Sequence, residues 1–108
     1  SGEDGTAIPF NAAGGHGCIS VTANIAPRLC ADMQKAWRNG DIAQAIELQA
    51  VLMLVHMAMF CETSPGPVKY AAELLGLCSA NARLPICEIA DSSKEAVLQA
   101  LTGAGILS

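Results

Sequence analysis

Gly14-Gly15-His16-Gly17-Cys18-Ile19-Ser20-Val21-Thr22-Ala23-Asn24-Ile25-Ala26-Pro27 is the stretch on which the reading of the chain turns. Cys18 to Val21 is short and largely apolar, carries the β-branched residues Ile19 and Val21, and follows a run of glycines. It does not alternate polar with apolar, which is the pattern of a strand buried on both faces of a parallel sheet. Pro27 stands where a helix would begin, because proline's fixed φ and missing N–H suit a first turn. A glycine-rich turn, a buried strand and a helix make half of a βα unit. A parallel strand needs hydrogen-bonding neighbours, and the rest of the sequence offers no second strand of equal quality.

The other segments read as helix. Thr6 to Ala13 is a short one, with Asp4 or Thr6 as its cap, Pro9 in its first turn and Gly14-Gly15 as its stop. Pro27 to about Asn39 is amphipathic: Leu29, Met33 and Ala36-Trp37 share a face, while Arg28, Asp32, Gln34, Lys35 and Arg38 lie on others. Gly40 ends it and Asp41 caps the next helix, which runs to about Cys61. That helix is apolar nearly all round, from Ile42 and Ile46 to Met59 and Phe60, and is expected to be buried on all sides. Pro67 starts a helix to about Leu75, closed by Gly76. Ser79 to Pro85 is a connector. Ser92 as N-cap and Glu95 three residues on form a capping box for a last helix, to about Thr102.

The chain has 108 residues, room for one small domain, of which 52% are hydrophobic and only 15% charged. The usual charged share is about 25%, and a small domain has more surface to cover than most. The chain is therefore expected to bury surface against further sequence, a second copy, or both. No apolar run reaches the roughly 18 uncharged residues of a membrane span, and Glu3 and Asp4 near the start do not read as a signal peptide. The net charge of −4 argues against nucleic acid, whose phosphates need clustered Lys and Arg.

The five cysteines, Cys18, Cys30, Cys61, Cys78 and Cys87, are odd in number and never at CxxC spacing. They read as small buried thiols in a reducing cytoplasm, and no metal site is expected. His16 lies among glycines before the strand and reads as a loop residue. His56, inside the apolar helix, reads as a satisfied core or interface histidine. Glu3-Asp4 is a possible carboxylate pair whose simpler reading is a solvated helix cap. Lys69 reads as a solvated or ion-paired residue. Gly14-Gly15-His16-Gly17 precedes the strand instead of following it, so it is no phosphate-binding fingerprint. No nucleophile–base constellation stands out.

Gly14 to Pro27, GGHGCISVTANIAP, resembles the last barrel strand of the 4-hydroxy-tetrahydrodipicolinate synthase (dihydrodipicolinate synthase) family, within the pyruvate-dependent aldolase and lyase superfamily. SGEDGTA at Ser1 to Ala7 is similar to the end of that family's seventh strand. SPGPVKYAAELLGL at Ser64 to Leu77 and RLP at Arg83 to Pro85 resemble its C-terminal helical region. Ser64 stands where the family commonly has Asn.

The resemblance implies an α/β fold, the C-terminal part of a (β/α)8 TIM barrel, a fold of about 250 residues. Residues 1–40 would hold the end of strand seven, helix seven at Thr6 to Ala13, strand eight at Cys18 to Thr22 and helix eight at Pro27 to Asn39. Residues 41–108 would be a C-terminal region of three helices. The chain as it stands would be mostly helical.

The resemblance also implies a reaction, the condensation of pyruvate, held as a Schiff base on a lysine, with aspartate semialdehyde in lysine (diaminopimelate) biosynthesis. The Schiff-base lysine and the relay tyrosine would lie upstream of Ser1, so no catalytic residue is expected here and the chain alone would be inactive. Gly2 and Ile19 match the family's residues whose backbone lies against pyruvate. No cofactor is implied, the enzyme would be cytoplasmic, and a homo-oligomer, a homotetramer, is expected. A sibling sugar-acid or sialic acid lyase is an alternative, although those resemble Ser20 to Pro27 less well. The alternative of another class is a non-catalytic helical interaction module.

Overall fold

A computed structural model describes residues 1–108. Five α-helices follow one another: α1 (Ala7–Ala12), α2 (Pro27–Arg38), α3 (Ile42–Ala58), α4 (Gly66–Leu74) and α5 (Asp91–Gly103). Two 3-10 turns precede helices: Asp4–Thr6 runs straight into α1, and Thr22–Asn24 lies shortly before α2. The expected helices are present, each within a few residues of its sequence signals. Gly40 and Gly76, with φ of +78° and +74°, end α2 and α4 in the left-handed conformation that favours glycine. The Asp41 carboxylate accepts from the Gln44 N–H at 3.2 Å and caps α3.

The strand expected over Cys18 to Thr22 does not form. Residues 15–20 belong to no helix or strand, and Val21 already has helical backbone angles (φ −73°, ψ −45°) at the head of the second 3-10 turn. What exists is one link of a parallel ladder. The Ser1 amine donates to the Gly17 carbonyl at 2.8 Å, and the Ile19 N–H donates to the Ser1 carbonyl at 2.8 Å. Those two bonds place Ser1 beside Cys18 in parallel register. A ladder needs successive bridges, and no other segment runs alongside residues 15–20.

The core gathers Met33 and Ala36 of α2, Leu52, Val55 and Met59 in and just after α3, Ala71 of α4, and Val97 and Leu101 of α5. Asn11 of α1 donates to Gln34 of α2 at 2.8 Å and ties the short helix down. The apolar face of α3 is only half used. Leu52 and Val55 are wholly buried, whereas Ile46, Leu54 and Met57 are 57%, 64% and 64% exposed. The expectation of an α3 buried on all sides is thus corrected: this chain covers one side of it.

Two further expectations are corrected. Ser92 does not cap α5, which starts at Asp91 with Ala90 as its uncapped N-cap. The Glu62 carboxylate holds the Ala90 N–H at 2.8 Å and sets that start, while Glu95 accepts from Gln99 instead. The cysteines are also less buried than expected. Cys61, Cys78 and Cys87 are exposed, and Cys18 and Cys30 are half-buried.

Candidate functional site

The polar heart of the molecule is a knot around Asp4. The Glu3 carboxylate accepts from the Gly5 N–H at 2.8 Å and bends the chain into the first 3-10 turn. Hydrogen bonds from Thr6 and Gly5 hold Glu3 below its ordinary pKa. The bend sends the Asp4 side chain inward, where it is 5% exposed. There its carboxylate accepts from the Ser20 hydroxyl, from the Val21 N–H at 3.0 Å and from the Thr22 N–H at 3.3 Å. Ser20 Oγ in turn accepts from the Ala23 N–H at 2.9 Å. One buried carboxylate therefore satisfies the orphan donors where the segment carrying Ile19 turns toward α2.

α3 closes the knot from the other side. Gln49 Nε2 donates to the Gly5 carbonyl at 2.9 Å and to the Asp4 carbonyl at 3.2 Å. Seven residues on, His56 Nδ1 shares a 2.7 Å hydrogen bond with the hydroxyl of Thr22, which is wholly buried. His56 Nε2 and Gln49 Oε1 are buried without a partner. Burial pushes the His56 pKa below its ordinary 6.5, against the opposing pull of the Asp4 and Glu3 charges. Beside the knot, burial pushes the Cys30 thiol up to about 11, which leaves it a poor nucleophile.

Gly2 and Ile19 lie at the edge of this knot. The Ser1–Gly2 peptide oxygen accepts from the Ile19 N–H, so the two main chains are neighbours. The Gly2 N–H and C=O and the Ile19 C=O take no part in the chain's own hydrogen bonds. The Ile19 side chain is 88% exposed, and a Cβ on Gly2 would meet nothing within 4 Å.

The other candidates lie elsewhere. His16 is exposed, and Lys69 is half-buried in the first turn of α4. No three His, Cys, Asp or Glu side chains come together as a metal site would need. No helix is long and apolar enough to cross a membrane. Asp4, expected as a solvated cap, is instead buried and bonded to Ser20, Val21 and Thr22, and Ser20, Thr22 and Gln49 carry no sequence pattern that marks them as its neighbours. The usable signal is Gln49 and His56, two polar residues seven apart among the apolar residues of one face of α3, on the side away from Gln44 and Glu47.

The sequence matches the family described as "Dihydrodipicolinate synthetase family" over residues 1–104. The chain belongs to that family. It is 58% identical over 108 residues to a 4-hydroxy-tetrahydrodipicolinate synthase of Gluconacetobacter diazotrophicus, covering all of this chain and 36% of that relative. Its structure is similar to the dihydrodipicolinate synthase of Thermotoga maritima, with a TM-score of 0.96 and 32% identity over 99% of this chain and 36% of the other. It is also similar to the chloride-inhibited dihydrodipicolinate synthase of Acinetobacter baumannii complexed with pyruvate, with a TM-score of 0.92 and 38% identity over 99% of this chain and 37% of that one. The chain thus spans little more than a third of the length of the dihydrodipicolinate synthases it matches, 36% of the first.

Proposed function

We propose that these 108 residues are the C-terminal part of a 4-hydroxy-tetrahydrodipicolinate synthase, a cytoplasmic lyase that condenses pyruvate with aspartate semialdehyde in lysine biosynthesis. The observation that supports this best is the 58% identity, spread over the whole chain, to a protein of that name. In this reading residues 1–40 finish a (β/α)8 barrel and residues 41–108 form its C-terminal helical region. The parallel bridge between Ser1 and Cys18 is then the first link of a ladder between strands seven and eight. Gly2 and Ile19 offer main chain to pyruvate at the C-terminal ends of the strands, where this fold keeps its active sites. Their unused N–H and C=O groups support that role.

The chemistry needs a lysine amine that is neutral when it attacks the pyruvate carbonyl. Lys35 is exposed and Lys69 only half-buried. Lys94 is paired with Glu88, which raises its pKa, the opposite of what a nucleophile requires. The nucleophile and the proton-relay tyrosine are therefore assigned to residues upstream of Ser1, and this chain alone to an inactive part. The exposed apolar side of α3 fits a homo-oligomeric enzyme, a homotetramer in this reading.

Steady-state assay of the full-length protein tests the function. Condensation of pyruvate with aspartate semialdehyde, with no cleavage of sialic acid or sugar acids, is expected. Cleavage of those substrates without condensation would contradict it.

A further inference from the structure

We propose that Gln49 and His56 of α3 are positioning residues that fix the two main-chain segments against which pyruvate binds. The inference rests on the reading of Gly2 and Ile19 given above. Gln49 grips the carbonyls of Asp4 and Gly5, two and three residues after Gly2. His56 grips the hydroxyl of Thr22, three residues after Ile19. Between them, the Asp4 carboxylate joins the first segment to Ser20, Val21 and Thr22 of the second. Each segment is non-repeating backbone that leads into a single 3-10 turn, with few ladder bonds of its own, so its course is set by these side chains. Gln49 and His56 sit two turns apart on one helix, and α3 thereby acts as a rigid bar across both segments.

Both residues are buried, at 8% and 4% exposure, and their side chains bond to Asp4, Gly5 and Thr22, not to Gly2 or Ile19. Their effect passes through the backbone. A shifted cradle weakens pyruvate binding in the ground state and the transition state alike, which raises KM and spares kcat. A purely structural role would lower the amount of folded enzyme without singling out one substrate.

Kinetics of the full-length protein separate the two roles. Gln49→Met, His56→Phe and Thr22→Val remove the clamps; His56→Asn and Thr22→Ser keep a polar group in place. The removing variants are expected to raise the pyruvate KM about tenfold, with kcat and the aspartate semialdehyde KM within about threefold of the unaltered protein. The retaining variants are expected to stay within about twofold. If His56→Phe does not fold, Gln49→Met and Thr22→Val carry the same test. Folded removing variants with an unchanged pyruvate KM overturn the clamp alone, and so does an equal rise in both substrates' KM. Unaltered protein that consumes no pyruvate overturns instead the function reading on which the proposal stands.

Discussion

Replacing Asp4 by alanine leaves the buried N–H of Thr22, and the half-buried N–H of Val21 and hydroxyl of Ser20, without their acceptor. Donors left unsatisfied in and beside the core, and a lost charged acceptor, make Asp4→Ala expected to cost about 3 kcal/mol, read as a shifted denaturant midpoint. A loss below about 0.5 kcal/mol would contradict the buried knot, since surface substitutions fall in that range. His56 adds a pH dependence. Its folded pKa lies below the unfolded 6.5, so the unfolded chain binds the proton more readily. Stability is full above pH 6.5 and is lost as pH falls from 6.5 toward the lowered folded value. Thermal denaturation from pH 7.5 to 5 is expected to show that decline in the unaltered protein and a shallower one in His56→Asn; equal slopes would contradict it. Asp4 was hidden from sequence reading because its partners lie 16 to 18 residues away. Nothing local distinguishes a carboxylate that caps its own turn from one that caps another.

At the scale of elements, helix starts and stops were legible because they are set locally. Pro27, Gly40, Asp41, Pro67 and Gly76 each act within a turn of their own position, and each does so in the structure. The start of α5 was not, because it is set by Glu62 from 28 residues away. Its empty cap position gives a direct test. Ala90 is exposed, has extended backbone (φ −65°, ψ 155°) and offers no side-chain oxygen. Ala90→Ser is therefore expected to stabilise the protein by about 1 kcal/mol, the usual worth of an N-cap hydroxyl. Destabilisation in thermal unfolding would show that α5 begins elsewhere. The strand was misread for a related reason. Residues 18–22 have a strand's composition, but a strand exists only with its neighbours, and here Ser1 alone pairs with the segment.

The whole molecule leaves eleven large apolar side chains exposed, six of them on or beside α3. That surface was foreshadowed by the low charge of the sequence, although which face it occupies was not. Monomeric proteins seldom tolerate so large an apolar patch. The isolated chain is expected to self-associate at micromolar concentration, and sedimentation as a lone 11.1 kDa species would contradict this. The central claim is that this chain supplies pyruvate-binding backbone while the Schiff-base lysine lies in the rest of a longer enzyme. Its most direct test is borohydride reduction of the full-length protein with pyruvate, followed by peptide mass mapping. The expected result is one reduced pyruvate adduct, on a lysine outside these 108 residues. An adduct on Lys35, Lys69 or Lys94, or none anywhere, would contradict it.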